Sequence, residues 1–190
     1  MNLEKMFEMQ KELDNRIIRE KGLEGQDLLP GLILALQVEL AECANEWRGF
    51  KFWSNDQQPR TCIINKKGET SRDYYKNPLL EEYVDCLHFI LSIGNLTKYS
   101  KNNDVNDLKR NTLEASGVKA FLELFKEITF FNEERKVSKN TIGLTRIMIY
   151  ERIFWRFNEL GIALGFTPEQ IEQAYMDKNA VNHKRQQEGY

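Results

Sequence analysis

The sequence lacks the features that would send a chain to a membrane or out of the cell. No apolar run reaches the roughly 18 residues of a membrane span, and mean hydropathy is −0.58. The opening Met1-Asn2-Leu3-Glu4-Lys5 does not read as a secretory leader. The three cysteines are an odd number without CxxC spacing. They fit buried free thiols in a reducing, cytoplasmic setting. No charge of one sign dominates: 27 Lys and Arg stand against 29 Asp and Glu, a net −2. That balance gives no general pull toward nucleic acid or an acidic membrane. Any bound anion must be held by a local basic cluster or through a metal. A GxxxxGK[ST] loop is missing as well, which argues against a P-loop enzyme. There is no internal repeat or low-complexity tract. At 190 residues, residues 1–190 are expected to form a single domain.

What is present is helical periodicity. Leu3, Met6, Phe7, Gln10, Leu13 and Ile17 recur at helical spacing, so residues 3 to about 20 read as an amphipathic helix. Gln10 falls on its apolar side, where the amide must bond to backbone or read a ligand. Gly22, Gly25 and Pro30-Gly31 punctuate the turn before a second helix, about 29–48, for which Gly49 is the expected stop. Residues 55–77 are polar and aperiodic apart from Thr61-Cys62-Ile63-Ile64, and read as a long loop insertion or a small hairpin. A third helix runs from Pro78 to about residue 96. A polar linker covers 97–111. A weaker helix is expected over 113–131 and a strongly apolar one over 141–164. Thr167-Pro168-Glu169-Gln170 is a helix start, with Thr as N-cap, Pro at the first position and Gln at the third. The fold class is all-α, a helical bundle with its site built from facing helices.

Two acidic segments stand out. Val38-Glu39-Leu40-Ala41-Glu42-Cys43-Ala44-Asn45-Glu46 and Leu80-Glu81-Glu82-Tyr83-Val84-Asp85-Cys86 each set carboxylates three or four residues apart on one helix face. Like charges at that spacing destabilise an isolated helix by a few tenths of a kcal/mol per pair. At about 100° per residue, Leu29, Leu32, Leu36, Leu40, Cys43 and Trp47 form a stripe with Glu39, Glu42 and Glu46 along its flank. Glu82 and Asp85 share a sector with Cys86, Phe89, Ile93 and Leu96. Carboxylates there need cations, hydrogen bonds or water. Oxygen ligands without a thiolate suit Mg²⁺ or Mn²⁺. The alternative is a pair of solvated faces, the second neutralised by Lys or Arg.

Trp47-Arg48-Gly49-Phe50-Lys51-Phe52-Trp53-Ser54 follows the first cluster directly. Its aromatics either cap a core or stack on a base. Near the end of the chain, Lys178, Asn182, Arg185 and Tyr190 form a local cluster able to clasp phosphate oxygens. The alternative is a solvated, frayed terminus. Carboxylates, aromatics, an inward Gln and late cations together fit a nucleotide site with metal-assisted hydrolysis.

The pair Glu39-x-x-Glu42 and Glu82-x-x-Asp85 resembles the ExxE…ExxD signature of the all-α nucleoside triphosphate pyrophosphatases. With residues 3–14, 46–54, 81–89 and 178–190 the chain looks like the dimeric dUTPase family, and the likeness spans nearly its whole length. The resemblance implies Mg²⁺-dependent hydrolysis of dUTP, and of dUDP, to dUMP. It implies metal ligands at Glu39, Glu42, Glu82 and Asp85, with Glu39 also orienting the attacking water. Gln10 would contact uracil, His88 would lie near the deoxyribose and base, and Trp53 would wall the base pocket. Lys178, Asn182, Arg185 and Tyr190, with Lys51, would bind phosphates. The family's active unit is a homodimer. Two alternatives are a pyrophosphatase with another base preference, such as dCTP or a damaged nucleotide, and a non-enzymatic helical interaction protein that keeps the fold.

Overall fold

The structure, a computed structural model, describes residues 1–64, 75–99, 116–137 and 142–189. Among these residues lie six helices and a two-stranded hairpin: α1 (Leu3–Lys21), α2 (Leu29–Trp47), β1 (Ile63–Ile64), β2 (Tyr75–Lys76), α3 (Pro78–Leu96), α4 (Gly117–Val137), α5 (Ile142–Ala163) and α6 (Pro168–Gln187). The architecture is the expected all-α bundle. The hairpin pairs Ile63 with Lys76 and Ile64 with Tyr75 in antiparallel register, so the 55–77 segment contains the small sheet and not a plain loop. The expected polar linker lies outside the described residues from residue 100 onward. No helix among the described residues is long and apolar enough to cross a membrane.

Local chemistry sets the helix ends. The Asn2 side chain accepts from the Lys5 amide, and Gly22 closes α1 at φ 64°, the left-handed conformation glycine adopts freely. Asn77 accepts from the Leu80 amide, with Pro78 in the first turn of α3. Thr167 and Gln170 form a reciprocal capping box at the start of α6, as their spacing predicts. The stop of α2 differs from expectation. Arg48, not Gly49, takes the left-handed position at φ 63°. Its guanidinium holds the Asp56 carbonyl oxygen at 2.8 and 3.1 Å and the Asp56 carboxylate at 3.3 Å. Those contacts offset the strain of a side chain in that region.

The core lies around α3, which packs against α1, α2, α5 and α6. Its buried residues therefore run round the helix and include Tyr83, Val84, Cys86, Leu87, His88, Ile90, Leu91 and Ile93. Burial on this scale contributes about 1.5–3 kcal/mol for each large apolar side chain. Residues 178–187, read from sequence as a polar terminal segment, are the second half of α6. Ile171, Tyr175 and Asn179 recur every four residues and are all buried, and this stripe docks α6 onto α3 and α1.

Two close approaches fix α3 against α5. Tyr83 Oη–H on α3 donates to the Phe157 carbonyl at 2.9 Å, and a Cβ at Gly161 would collide with the same hydroxyl. Tyr150 Oη–H on α5 donates to the Ile90 carbonyl at 3.0 Å, and a Cβ at Gly94 would collide with it in turn. Each helix thus offers a glycine and, one turn earlier, a carbonyl to the other's tyrosine. Gly94 ends α3 near the start of α5, and Gly161 lies at the opposite end, so the two helices run antiparallel.

Candidate functional site

The acidic residues converge as their spacing suggests. Glu39 and Glu42 come from α2, and Glu82 comes from the first turns of α3. One oxygen from each lies within 4.8 Å of the others. Helical spacing puts Glu39 and Glu42 on one face, and the α2–α3 packing brings Glu82 against it. Burial first, then Asp85, Glu39 and Glu42, pushes the Glu82 carboxyl up to about 7. Glu39 is raised by burial first, then by Asp85 and Glu42. A hydrogen bond from Glu82 to Glu39 offsets part of this. A proton shared between the two carboxyls would ease their repulsion, and a cation would ease it better.

The donor set is all oxygen, on two rigid helices, and three carboxylates held this close repel one another. It fits a hard divalent ion such as Mg²⁺ or Mn²⁺. Asp85, the fourth expected ligand, lies one turn beyond Glu82 and makes a direct ion pair with Lys178 from α6. Burial raises its carboxyl, while Lys178 and Arg185 oppose the shift.

A cavity of about 660 Å³ opens beside this cluster. Glu39, Asp85, Lys178, Asn182 and Arg185 line it with Gln10 and His88, while Leu13, Ile17, Leu28, Leu32 and Phe89 give it apolar walls. A cavity with one charged region and apolar walls suits a ligand with an anionic part and a flat, weakly polar part.

Gln10 is buried, as the periodicity predicts, but its partners are side chains instead of backbone. Its Nε2 donates to Asp14 Oδ1 at 2.9 Å and to Ser92 Oγ at 3.0 Å. Its Oε1 meets His88 Nδ1 at 2.6 Å and Tyr175 Oη at 3.2 Å. Both amide protons are therefore engaged, and the single Tyr175 hydroxyl proton is shared between Gln10 Oε1 and the Met6 carbonyl at 3.0 Å. The His88 ring stacks on Tyr175 with centroids 4.5 Å apart. Burial first, with the Lys178 charge second, lowers its pKa to about 3, so the imidazole is neutral.

Sequence reading passed over Asp14, Ser92 and Tyr175 in this network. Asp14 is four residues from Gln10 and so shares its face. Tyr175 is three residues before Lys178. Those offsets were the available signal.

Lys51 and Trp53 do not line this cavity. They sit on the turn after α2, with the Lys51 ammonium 5.6 Å from the Phe50 ring centroid. Trp53 makes edge contacts with Phe50 and Phe52 and is 65% exposed. Tyr190, expected at the phosphates, lies outside the described residues.

A family described as dUTPase matches residues 2–190. No curated protein matches the chain.

Proposed function

Because the chain belongs to the dUTPase family and is therefore a dUTP diphosphatase, a nucleoside triphosphate pyrophosphohydrolase, we propose that it hydrolyses dUTP, and dUDP as well, to dUMP in a Mg²⁺-dependent reaction carried by Glu39, Glu42, Glu82 and Asp85. The observation that carries this is the convergence of Glu39, Glu42 and Glu82 beside a cavity that Glu39 and Asp85 share with Lys178 and Arg185. Mg²⁺, or Mn²⁺ in its place, supplies neutralisation of the phosphate charge when bound.

The side chains do the rest. Glu39 orients a water and accepts its proton as the water attacks phosphorus and the α–β phosphoanhydride bond breaks. A carboxyl raised by burial is better matched to that task than an ordinary one. Lys178 is held on Asp85 in the absence of substrate, and phosphate oxygens compete for its ammonium. Arg185 offers a two-pronged donor and Asn182 an amide to the same oxygens. Gln10 and His88 face the nucleoside.

The working unit is a homodimer in the cytoplasm. In its favour, Leu34 is 62% exposed, Leu122 63%, Met148 55% and Ile162 57%, more bare aliphatic surface than a lone bundle needs. Lys51 and Trp53, outside one chain's cavity, fit a role in the partner's site, and Tyr190 is assigned to the phosphates by the family likeness alone.

The test is pyrophosphate release across deoxy- and ribonucleoside triphosphates, with and without Mg²⁺. The expected result is turnover of dUTP at least tenfold above dCTP and dTTP, lost on chelation and lost in Glu42→Gln. Preference for another triphosphate would overturn the base assignment, and metal-independent turnover the role of the acidic cluster.

A further inference from the structure

The buried network around Gln10 determines where the His88 proton sits. An ionised Asp14 can only accept hydrogen bonds, and its Oδ1 receives both Gln10 Nε2–H and the Ser92 hydroxyl, each at 2.9 Å. The nitrogen end of the Gln10 amide must therefore face Asp14. The oxygen end must face His88, and an amide oxygen can only accept. His88 Nδ1 must then carry the ring's proton, and in a neutral imidazole Nε2 is left as a bare acceptor. His88 is 5% exposed, its Nε2 has no hydrogen-bond partner among the described residues, and the residue lines the cavity. A buried acceptor without a partner costs about 1–3 kcal/mol, a cost that a ligand's donor would remove. Stacking on Tyr175 keeps the ring plane, and so the direction of that lone pair, fixed.

We propose that Asp14 is a positioning residue that, through the Gln10 amide, holds His88 as the Nδ1–H tautomer, so that Nε2 accepts a hydrogen bond from a donor on the nucleoside part of the substrate. This rests on the nucleotide assignment above. Two groups on a deoxyuridine nucleotide supply such a donor, the imide N–H of the base and the 3′-hydroxyl of the sugar. The relay makes the site selective in a way that shape alone does not. If Asp14 were apolar, the Gln10 amide could turn over and present Nε2–H to His88 Nδ1. The ring proton would then move to His88 Nε2, and the site would present a donor to a donor.

Long-range ¹H–¹⁵N spectra of the histidine rings test the relay without any substrate. The chain has two histidines, so His183→Gln assigns the His88 signals. The wild-type protein should show Nδ1–H with an unprotonated Nε2, Asp14→Asn, whose amide can donate as well as accept, should mix the two tautomers, and Asp14→Leu should lose the pattern. In kinetics, Asp14→Leu should raise the dUTP KM at least tenfold with kcat within threefold, and Asp14→Asn should raise KM by less. N3-methyl-dUTP and 2′,3′-dideoxy-UTP each lack one donor. One of the two should lose at least tenfold in kcat/KM on the wild type, which identifies the donor, and that loss should shrink in Asp14→Leu. A wild-type His88 with its proton on Nε2, or an Asp14→Leu with unchanged ring signals and unchanged KM, would overturn the proposal. So would two analogues that behave like dUTP. If Asp14→Leu does not fold, the wild-type spectrum and Asp14→Asn decide, the latter expected to mix the two tautomers. Failure of the substrate assignment is distinguishable: dUTP would not turn over while the ring spectrum stayed as described.

Discussion

Replacing Glu82 by Gln should make the metal-free protein more stable while removing its activity. The folded Glu82 carboxyl titrates near 7 against an ordinary 4.5, chiefly because burial, and then Asp85, Glu39 and Glu42, disfavour its charge. An acid raised in this way holds its proton more tightly when folded than when unfolded. Stability therefore falls as pH rises through the window from 4.5 to 7, and the whole penalty is present above it. At about 1.36 kcal/mol per pH unit, a shift of this size amounts to about 3.4 kcal/mol. Solvent on the open side of the cluster screens the charges, and halving the figure gives about 1.7 kcal/mol. A neutral Gln removes that penalty, and its amide N–H can still donate to Glu39. For a domain of this size 1 kcal/mol moves Tm by about 2–4 °C, so Tm should rise by about 3–7 °C at pH 8 in a chelator. At pH 5 the folded Glu82 is already protonated, and the gain should shrink toward zero. Added Mg²⁺ should raise the wild-type Tm through mass action and the variant's far less. Calorimetry at both pH values, with chelator and with Mg²⁺, reads all of this, alongside dUTP turnover, expected to drop at least about 100-fold as for other metal-site losses. A Tm that falls at pH 8, or a gain equal at pH 5 and pH 8, would refute the account of Glu82 as a repelled, half-buried carboxylate.

Arg185→Ala should lower kcat/KM for dUTP by about 10–150-fold, the span of a lost charge-assisted hydrogen bond of about 1.5–3 kcal/mol, with both kcat and KM affected; steady-state kinetics checks it. Asp14 titrates near 6 instead of 3.8, raised by burial, so wild-type stability should decline relative to Asp14→Asn as pH rises from about 4 to 6 and then level off, which parallel urea titrations would show. Gly94→Ala should destabilise by about 1–3 kcal/mol, the range for overpacking, despite alanine's better helix propensity, and Tyr150→Phe should recover part of the loss in a double-mutant cycle. Sedimentation at micromolar concentration should give a dimer, and a species near 22.4 kDa alone would count against it.

The convergence of Glu39, Glu42 and Glu82 was legible because carboxylates at three-residue spacing on a helix announce themselves without knowledge of any partner. Asp14 was not. In sequence it is one acid among the many charges of α1, and it is hydrogen-bonded by Ser92, 78 positions away, a contact no periodicity reveals. The packing of the second half of α6 was hard to read for a related reason. Its buried stripe ends on Asn179, a polar residue that a hydrophobic pattern does not count. The fourth helix was expected over 113–131 and is found at Gly117–Val137. Its apolar residues Phe121, Leu124, Ile128 and Phe131 are buried, and packing against α5 and α2 decides its extent more than any capping residue does. Trp53 carried the right chemistry for a base wall, but a residue's type does not say which side of a turn it faces.

The paired tyrosine and glycine contacts between α3 and α5 bear on how free energy is divided between folding and binding. Sliding one helix past the other by a residue would break both hydrogen bonds and drive both hydroxyls off their glycines, so the interface has one register and no soft mode along its axis. α3 carries Glu82, Asp85 and His88, and these three therefore keep their mutual spacing whether or not a ligand is present. The entropy of arranging them is lost when the chain folds and is not charged again when substrate arrives. Any adjustment to a bound ligand falls to α6, whose hold on α3 includes the Lys178–Asp85 ion pair, a contact that phosphate can exchange for itself.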